Sequence, residues 1–239
     1  MNLRYAWRLS TTRGFFQSQV RDLWIHLRNA FGSGPFAGAY KTVRPYSMSG
    51  AARLQGLYEA VQQVTEKGIA GDIVECGTAR GGSAALLGLA MKRTGVQRTL
   101  WVFDTFEGIP APTRSDPDYD VAAQFTGSFR GELAEVTSLF ERLGILDTAR
   151  LVKGRFEETI PGADIGPIAV LHIDGDWYES VKVCLDHLYD RVTPGGIIQI
   201  DDYGHWEGAR KAVDEFLAAR GNSGRLRYVD YTGRQLVKA

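Results

Sequence analysis

Apolar residues recur along this chain with two different spacings, and the alternation between them predicts its elements. Phe16, Val20, Leu23, Trp24, Leu27 and Phe31 fall at helical spacing amid arginines, ahead of the breaker GSGPFAG at Gly32 to Gly38. The first 45 residues are therefore expected to form an N-terminal helical extension, one or two amphipathic helices packed on the domain or across a dimer. A cap over a substrate pocket is the functional version of the same feature. Membrane-surface helices carry a larger and more basic polar face than this one.

From Ser49 the pattern becomes regular. Leu54, Leu57, Tyr58, Val61 and Val64 mark a helix, and the compact apolar run DIVECG follows Gly68 and Gly71. A glycine-rich turn and the small-residue helix SAALLGLAMKR come next. Strands are then expected at Thr99 to Asp104, at ARLVKG, at Ile168 to Asp174 and at GGIIQIDD, with helices at Glu132 to Leu143, Ser180 to Arg191 and Gly208 to Arg220. Strands that are apolar throughout and separated by helices imply a parallel sheet covered on both faces. The ending differs: RLRYVDYTGRQLVKA holds two short alternating runs joined at Thr232-Gly233, which predicts an antiparallel hairpin. An α/β fold with a mostly parallel seven-stranded sheet closed by such a hairpin is the Rossmann-like arrangement of class I methyltransferases. Residues 46–239 are assigned to that domain. Glu107 to Arg130, with Pro110, Pro112 and Pro117, is expected as a long loop that is neither helix nor strand.

Composition narrows the function. Among 239 residues, 28 Lys and Arg balance 28 Asp and Glu, so nothing favours a phosphate backbone and nucleic acid is not an expected partner. The longest small-apolar stretch, Ala84 to Met91, is far short of the roughly 20 residues that cross a bilayer, and a cytoplasmic chain is expected. Cys76 and Cys184 stand far apart without a CxxC or Cys/His cluster, which predicts neither a disulfide nor a zinc site.

Three clusters carry candidate chemistry. In Val74-Glu75-Cys76-Gly77-Thr78-Ala79-Arg80-Gly81-Gly82-Ser83 the glycines let backbone N–H groups approach a ligand at a helix N-terminus. The spacing is E-x-G-x-x-x-G-G, not the G-x-G-x-x-G of dinucleotide sites or the G-K-[ST] of phosphate loops, and it suits S-adenosylmethionine. Asp104 ends the next strand, where a carboxylate accepts ribose hydroxyls. Finally, Asp174 and Asp176 follow one apolar strand, and Asp201 and Asp202 follow another. Adjacent parallel strands deliver these acids to one edge, where a hard cation such as Mg²⁺ would offset their repulsion. His172, inside a strand, reads as a hydrogen-bonded core residue; His205 could serve as a base or support one.

The runs PYSM, GDIVECGTARGGSA, LWVFDTFEGIP, VKGRFEETIP, IDGDWYESV and IDDYGHWEGARKAVDEF resemble the macrocin O-methyltransferase (TylF) family. The resemblance implies an S-adenosylmethionine- and Mg²⁺-dependent enzyme that methylates a sugar hydroxyl of a glycosylated natural product, commonly as a homodimer. It further implies that Glu75, Gly77, Thr78 and Ser83 line the methionine end of the cofactor. Asp104, Thr105 and Phe106 would hold ribose and adenine, Phe156 would flank the adenine, and Tyr46 and Met48 would reach towards cofactor and acceptor. Asp174, Asp201 and Asp202 would be the metal ligands, with Asp174 also near the cofactor, and Asp176 the base. A carboxylate not bound to the metal is the better base, which favours Asp176 over Asp174. A catechol or other vicinal diol is the rival acceptor, and a nicotinamide reductase or a non-catalytic binding protein the remoter alternatives.

Overall fold

The computed structural model describes residues 13–221 and 225–239. Helices α1 (Arg13–Phe31), α2 (Pro35–Val43) and α3 (Ala51–Glu66) precede the first strand. There follow β1 (Asp72–Cys76), α4 (Gly82–Thr94), β2 (Leu100–Asp104), α5 (Leu133–Leu143), β3 (Ala149–Lys153), β4 (Ile168–Ile173), α6 (Tyr178–Leu188), β5 (Val192–Ile200), α7 (Glu207–Ala219), β6 (Arg227–Tyr228) and β7 (Arg234–Val237). The seven strands form one sheet in the order β3-β2-β1-β4-β5-β7-β6. β1 to β5 pair in parallel, and β7 returns antiparallel against β5. This is the class I methyltransferase arrangement expected from the pattern.

Two cores explain why the central strands are apolar at every position. Successive side chains point to opposite faces. Ile73, Val102, Val170 and Ile197 meet α3, α4 and α5 on one side. Their neighbours Val74, Phe103, Leu171 and Ile198 meet α6 and α7 on the other. Each such side chain stabilises the fold by ~1.5–3 kcal/mol through burial.

Three departures from the sequence pattern have physical causes. The Glu107–Arg130 stretch is organised: Ile109 and Gly127–Ser128 exchange backbone hydrogen bonds, and a helical turn spans Tyr119–Ala122. Asp116, buried within it, accepts hydrogen bonds from the Tyr178 and Thr113 amides at 2.7 and 2.9 Å. Side-chain anchors of that kind leave no periodic trace. Strand β5 begins at Val192 and takes in Pro194-Gly195-Gly196, because a register shift in its pairing with β4 absorbs them. In the first 45 residues, α2 buries Ala37, Tyr40 and Val43, but the α1 stripe of Phe16, Val20, Leu23, Trp24, Leu27 and Phe31 is exposed. α1 instead meets the domain through Ser18, Arg21, Asp22 and Ile25.

Candidate active site

The C-terminal ends of β1, β2, β4 and β5 are held in step beyond the strands themselves. The Gly77 amide donates to Phe103 O, the Asp174 amide to Cys76 O, and the Asp201 amide to Ile173 O, at 2.8 to 2.9 Å. Gly77 has φ +90°, and a Cβ there would lie 1.9 Å from Asp174 O, so only glycine lets the first turn pass against the β4 end. Gly82 plays the same part at the start of α4, where a Cβ would meet the Tyr46–Ser47 backbone at 2.6 Å. These close approaches open a cavity of about 380 Å³ along the strand ends.

Most of the residues singled out in the sequence meet here. Tyr46, Met48, Gly77, Thr78, Ser83, Asp104, Thr105, Phe156, Asp174, Asp176, Asp201 and Asp202 all line the cavity. Glu75 and Phe106 do not. Glu75 is fully buried behind the turn, and Phe106 is buried in the core. Asp104 already organises the turn: one oxygen accepts from the Thr78 and Ala79 amides at 2.7 and 3.0 Å, and the other from the Phe106 amide at 2.7 Å. Only the oxygen that accepts from Phe106 keeps room for a ligand hydroxyl, its second lone pair being met by the Thr105 hydroxyl at no closer than 3.4 Å. The Thr78 hydroxyl and Glu75 Oε2 are buried without a hydrogen-bond partner. A polar ligand at the β1 turn would satisfy the first, which suits S-adenosylmethionine.

The carboxylates form a tight electrostatic group. Asp174, Asp176 and Asp202 offer oxygens within 4.8 Å of one another, and a second set joins Asp174 and Asp201 to His172. Burial, then the neighbouring charges, pushes the Asp174 and Asp176 carboxyls well above the usual range, and Asp202 up to about 6. Asp201 goes the other way. Burial would raise it, but the Arg53 guanidinium and His172 outweigh burial and hold it at about 2. His172 Nδ1 lies 2.8 Å from Glu75 and Nε2 lies 3.2 Å from Asp201. Against the effect of burial these two acids push it up to about 10, an imidazolium between carboxylates. The all-oxygen set of Asp174, Asp176 and Asp202 suits a hard divalent cation, and the three ligands that the resemblance implies, Asp174, Asp201 and Asp202, are divided between the two sets.

Sequence reasoning missed two residues. Arg53, in the first turn of α3, pairs with Asp201 and also with Asp230 of the terminal hairpin, the latter at 2.9 Å. A single arginine among helical positions gives no signal of this, because both partners lie far along the chain. Trp206 donates its indole N–H to Asp176 Oδ1 at 3.0 Å. It stands in the same IDDYGHW run as the metal candidates, where it reads as one more apolar residue. Around it, Phe125 packs edge-on at 5.5 Å, and Phe129 stacks on Phe125 at 6.3 Å, so an aromatic wall runs from Asp176 outward. His205 also lines the cavity; burial, then Arg53, lowers its pKa, which keeps it neutral. Non-glycine residues with positive φ gather here too: Ala79, Phe129 and Asp176 line the cavity, a clustering typical of functional sites.

Comparison with known proteins agrees with this geometry. The chain is 36% identical over 193 residues to the 8-demethyl-8-(2,3-dimethoxy-alpha-L-rhamnosyl)-tetracenomycin-C 4'-O-methyltransferase of Streptomyces olivaceus, covering 79% of this chain and 74% of that one. It is also 36% identical over 203 residues to the mycinamicin III 3''-O-methyltransferase of Micromonospora griseorubida, covering 81% and 78%. The solved structure of the O-methyltransferase NovP superposes with a TM-score of 0.77 at 32% identity, over 81% of this chain and 82% of that chain. A sequence profile of the macrocin-O-methyltransferase (TylF) family matches residues 34–237. A glycine turn, a strand-end acid and a carboxylate cluster thus come together in a chain that belongs to the macrocin-O-methyltransferase (TylF) family, S-adenosylmethionine-dependent O-methyltransferases.

Proposed function

We propose that this enzyme is Mg²⁺-dependent and methylates a sugar hydroxyl of a glycosylated natural product. The observation that carries the reading is the gathering of Asp174, Asp176, Asp201 and Asp202 in one cavity with the β1 glycine turn and Asp104. The Streptomyces olivaceus relative is named for the 4'-O-methylation of a rhamnosyl-tetracenomycin, which supports the acceptor class.

Asp174, Asp201 and Asp202 would hold the ion. Asp201 is the one kept ionised by Arg53 and His172, and each of its oxygens has a lone pair beyond those two contacts. When bound, Mg²⁺ supplies Lewis acidity that lowers the pKa of an acceptor hydroxyl. Asp176 would take the hydroxyl proton: Trp206 fixes its Oδ1 and leaves Oδ2 to act, and a raised pKa favours proton acceptance near neutrality. The acceptor oxygen then bonds to the methyl carbon as the sulfonium C–S bond breaks, releasing S-adenosylhomocysteine. Asp104 would hold the ribose and Phe156 the adenine. Phe125, Phe129, Ile109 and Pro110 give the acceptor side an apolar wall suited to an aglycone.

Calorimetric titration of Mg²⁺ tests the roles independently of turnover. Binding should vanish in Asp174→Asn, Asp201→Asn and Asp202→Asn and persist in Asp176→Asn, which should lose methyl transfer. If Asp176→Asn abolishes binding while Asp201→Asn retains it, the two residues exchange roles. Transfer of labelled methyl to glycosides, absent with catechols and stopped by EDTA, would separate the sugar reading from a vicinal-diol one.

A further inference from the structure

Helices α6 and α7 both begin on a tryptophan. Trp177 and Trp206 stand at the N-cap positions, and neither side chain makes a capping hydrogen bond. Ser, Thr, Asp or Asn is the usual residue there, because its oxygen accepts from a first-turn amide that the helix itself leaves unpaired. An indole offers only a donor. Both caps arrive instead from the Glu107–Arg130 stretch. Asp116 Oδ1 accepts from the Tyr178 amide, the first of α6, at 2.7 Å, and Asp118 Oδ2 from the Glu207 amide, the first of α7, at 3.1 Å. Asp116 is buried between the two helix starts, where a Cβ on Gly208 would come within 2.1 Å of its Oδ1 and 3.0 Å of the Tyr178 nitrogen. Its other oxygen accepts from the Thr113 amide at 2.9 Å. Two further contacts hold the same seam: Lys211 donates to Ser115 O at 3.3 Å, and the Ser115 hydroxyl to Glu179 at 2.7 Å.

The N-cap positions bring both indoles to Asp176. Trp206 donates to Asp176 Oδ1 at 3.0 Å, Trp177 follows Asp176 in the chain, and the two indoles pack edge-on at 4.9 Å. Trp177 in turn donates to Pro110 O at 2.7 Å, a second tie to the loop. Asp176 has φ +58°, a conformation that a non-glycine residue keeps only where its surroundings hold it.

We propose that Asp116 and Asp118 are positioning residues for methyl transfer: by capping α6 and α7 from the loop, they release both N-cap positions to indoles and fix the Trp177–Trp206 pair that aims Asp176. The proposal rests on the reading of Asp176 as the base. It makes the loop part of the catalytic framework as well as a wall of the acceptor side.

Asp116→Asn keeps the shape of the side chain but turns one of its two acceptor atoms into an NH₂ that faces an amide N–H. Its kcat should fall about tenfold, the rate equivalent of one hydrogen bond to a charged group, with KM for S-adenosylmethionine unchanged. The near-ultraviolet circular dichroism of the paired indoles, defined as the signal lost in Trp206→Phe, should weaken in the same variant. Asp118→Ala, at a half-buried position that tolerates truncation, should lower kcat likewise, and Asp118→Asn, which retains an acceptor oxygen, should recover most of the loss. A double-mutant cycle separates positioning from general support of the fold. In a Trp206→Phe background Asp118→Ala should cost less than about twofold more, because the route through the indole is already broken. The proposal is overturned if the two losses multiply, if KM for S-adenosylmethionine rises while kcat holds, or if Asp116→Asn and Asp118→Ala both turn over at the wild-type rate. Asp176→Asn distinguishes the source of a failure. Full turnover in that variant would remove the base reading and this proposal together, whereas an inactive Asp176→Asn beside fully active loop variants would overturn this proposal alone.

Discussion

At the scale of single residues, the site depends on a few atoms with no substitute. Trp206→Phe keeps the aromatic wall but removes the donor to Asp176. A hydrogen bond to a charged group contributes ~1.5–3 kcal/mol, so turnover should fall roughly tenfold or more while KM for S-adenosylmethionine stays unchanged. Loss in KM alone would mean that Trp206 serves binding rather than the base. Gly77→Ala should be severe: its Cβ would sit 1.9 Å from Asp174 O, and φ is +90°. Denaturant titration should show more than about 3 kcal/mol lost. Gly162→Ala, where a Cβ meets nothing within 4 Å, should stay within about 0.5 kcal/mol.

Between elements, Arg53 is the cation that joins α3, the end of β5 and the terminal hairpin. Arg53→Met leaves Asp201 and Asp230 without it, and breaking such a buried pair costs ~3–5 kcal/mol; a smaller shift in the urea midpoint would mean that His172 and solvent suffice. The Asp202 carboxyl, raised to about 6 by burial and by the Asp201 charge, sets a pH dependence. A carboxyl raised above its unfolded value of ~3.9 binds its proton more tightly when folded, so its contribution is complete at low pH and lost as pH rises through about 6. In EDTA the melting temperature should therefore carry a decline between about pH 4 and about pH 7 that Asp202→Asn removes. Added Mg²⁺ should stabilise the protein more at the upper end of that range. The elements that deliver these groups were legible in advance, because apolar strands and helical stripes are local patterns. Arg53 was not: its partners lie 148 and 177 residues away, and no local spacing encodes a contact of that length. The outward face of α1 was equally hidden, since helical spacing shows that a stripe exists and not which way it points.

For the whole molecule, a mostly parallel sheet covered on both faces and closed by an antiparallel hairpin followed from periodicity, whereas the strand order did not, and the glycine turn and strand-end acids located the cavity. The burial of Glu75 behind the turn, against His172, needed coordinates, because an acid within a strand reads alike whether it faces a ligand or a histidine. Time of synthesis adds a last consequence. A chain emerging from the ribosome in sequence order has Arg53 outside 177 residues ahead of Asp230, and the strand-end aspartates also come out ahead of it. Until the hairpin arrives, α1 lacks its anchors at Ser18 and Arg21, and β5 lacks its antiparallel neighbour. The parallel sheet can assemble early, whereas the assembled site is a late product, completed only when the hairpin closes contacts that span most of the polypeptide.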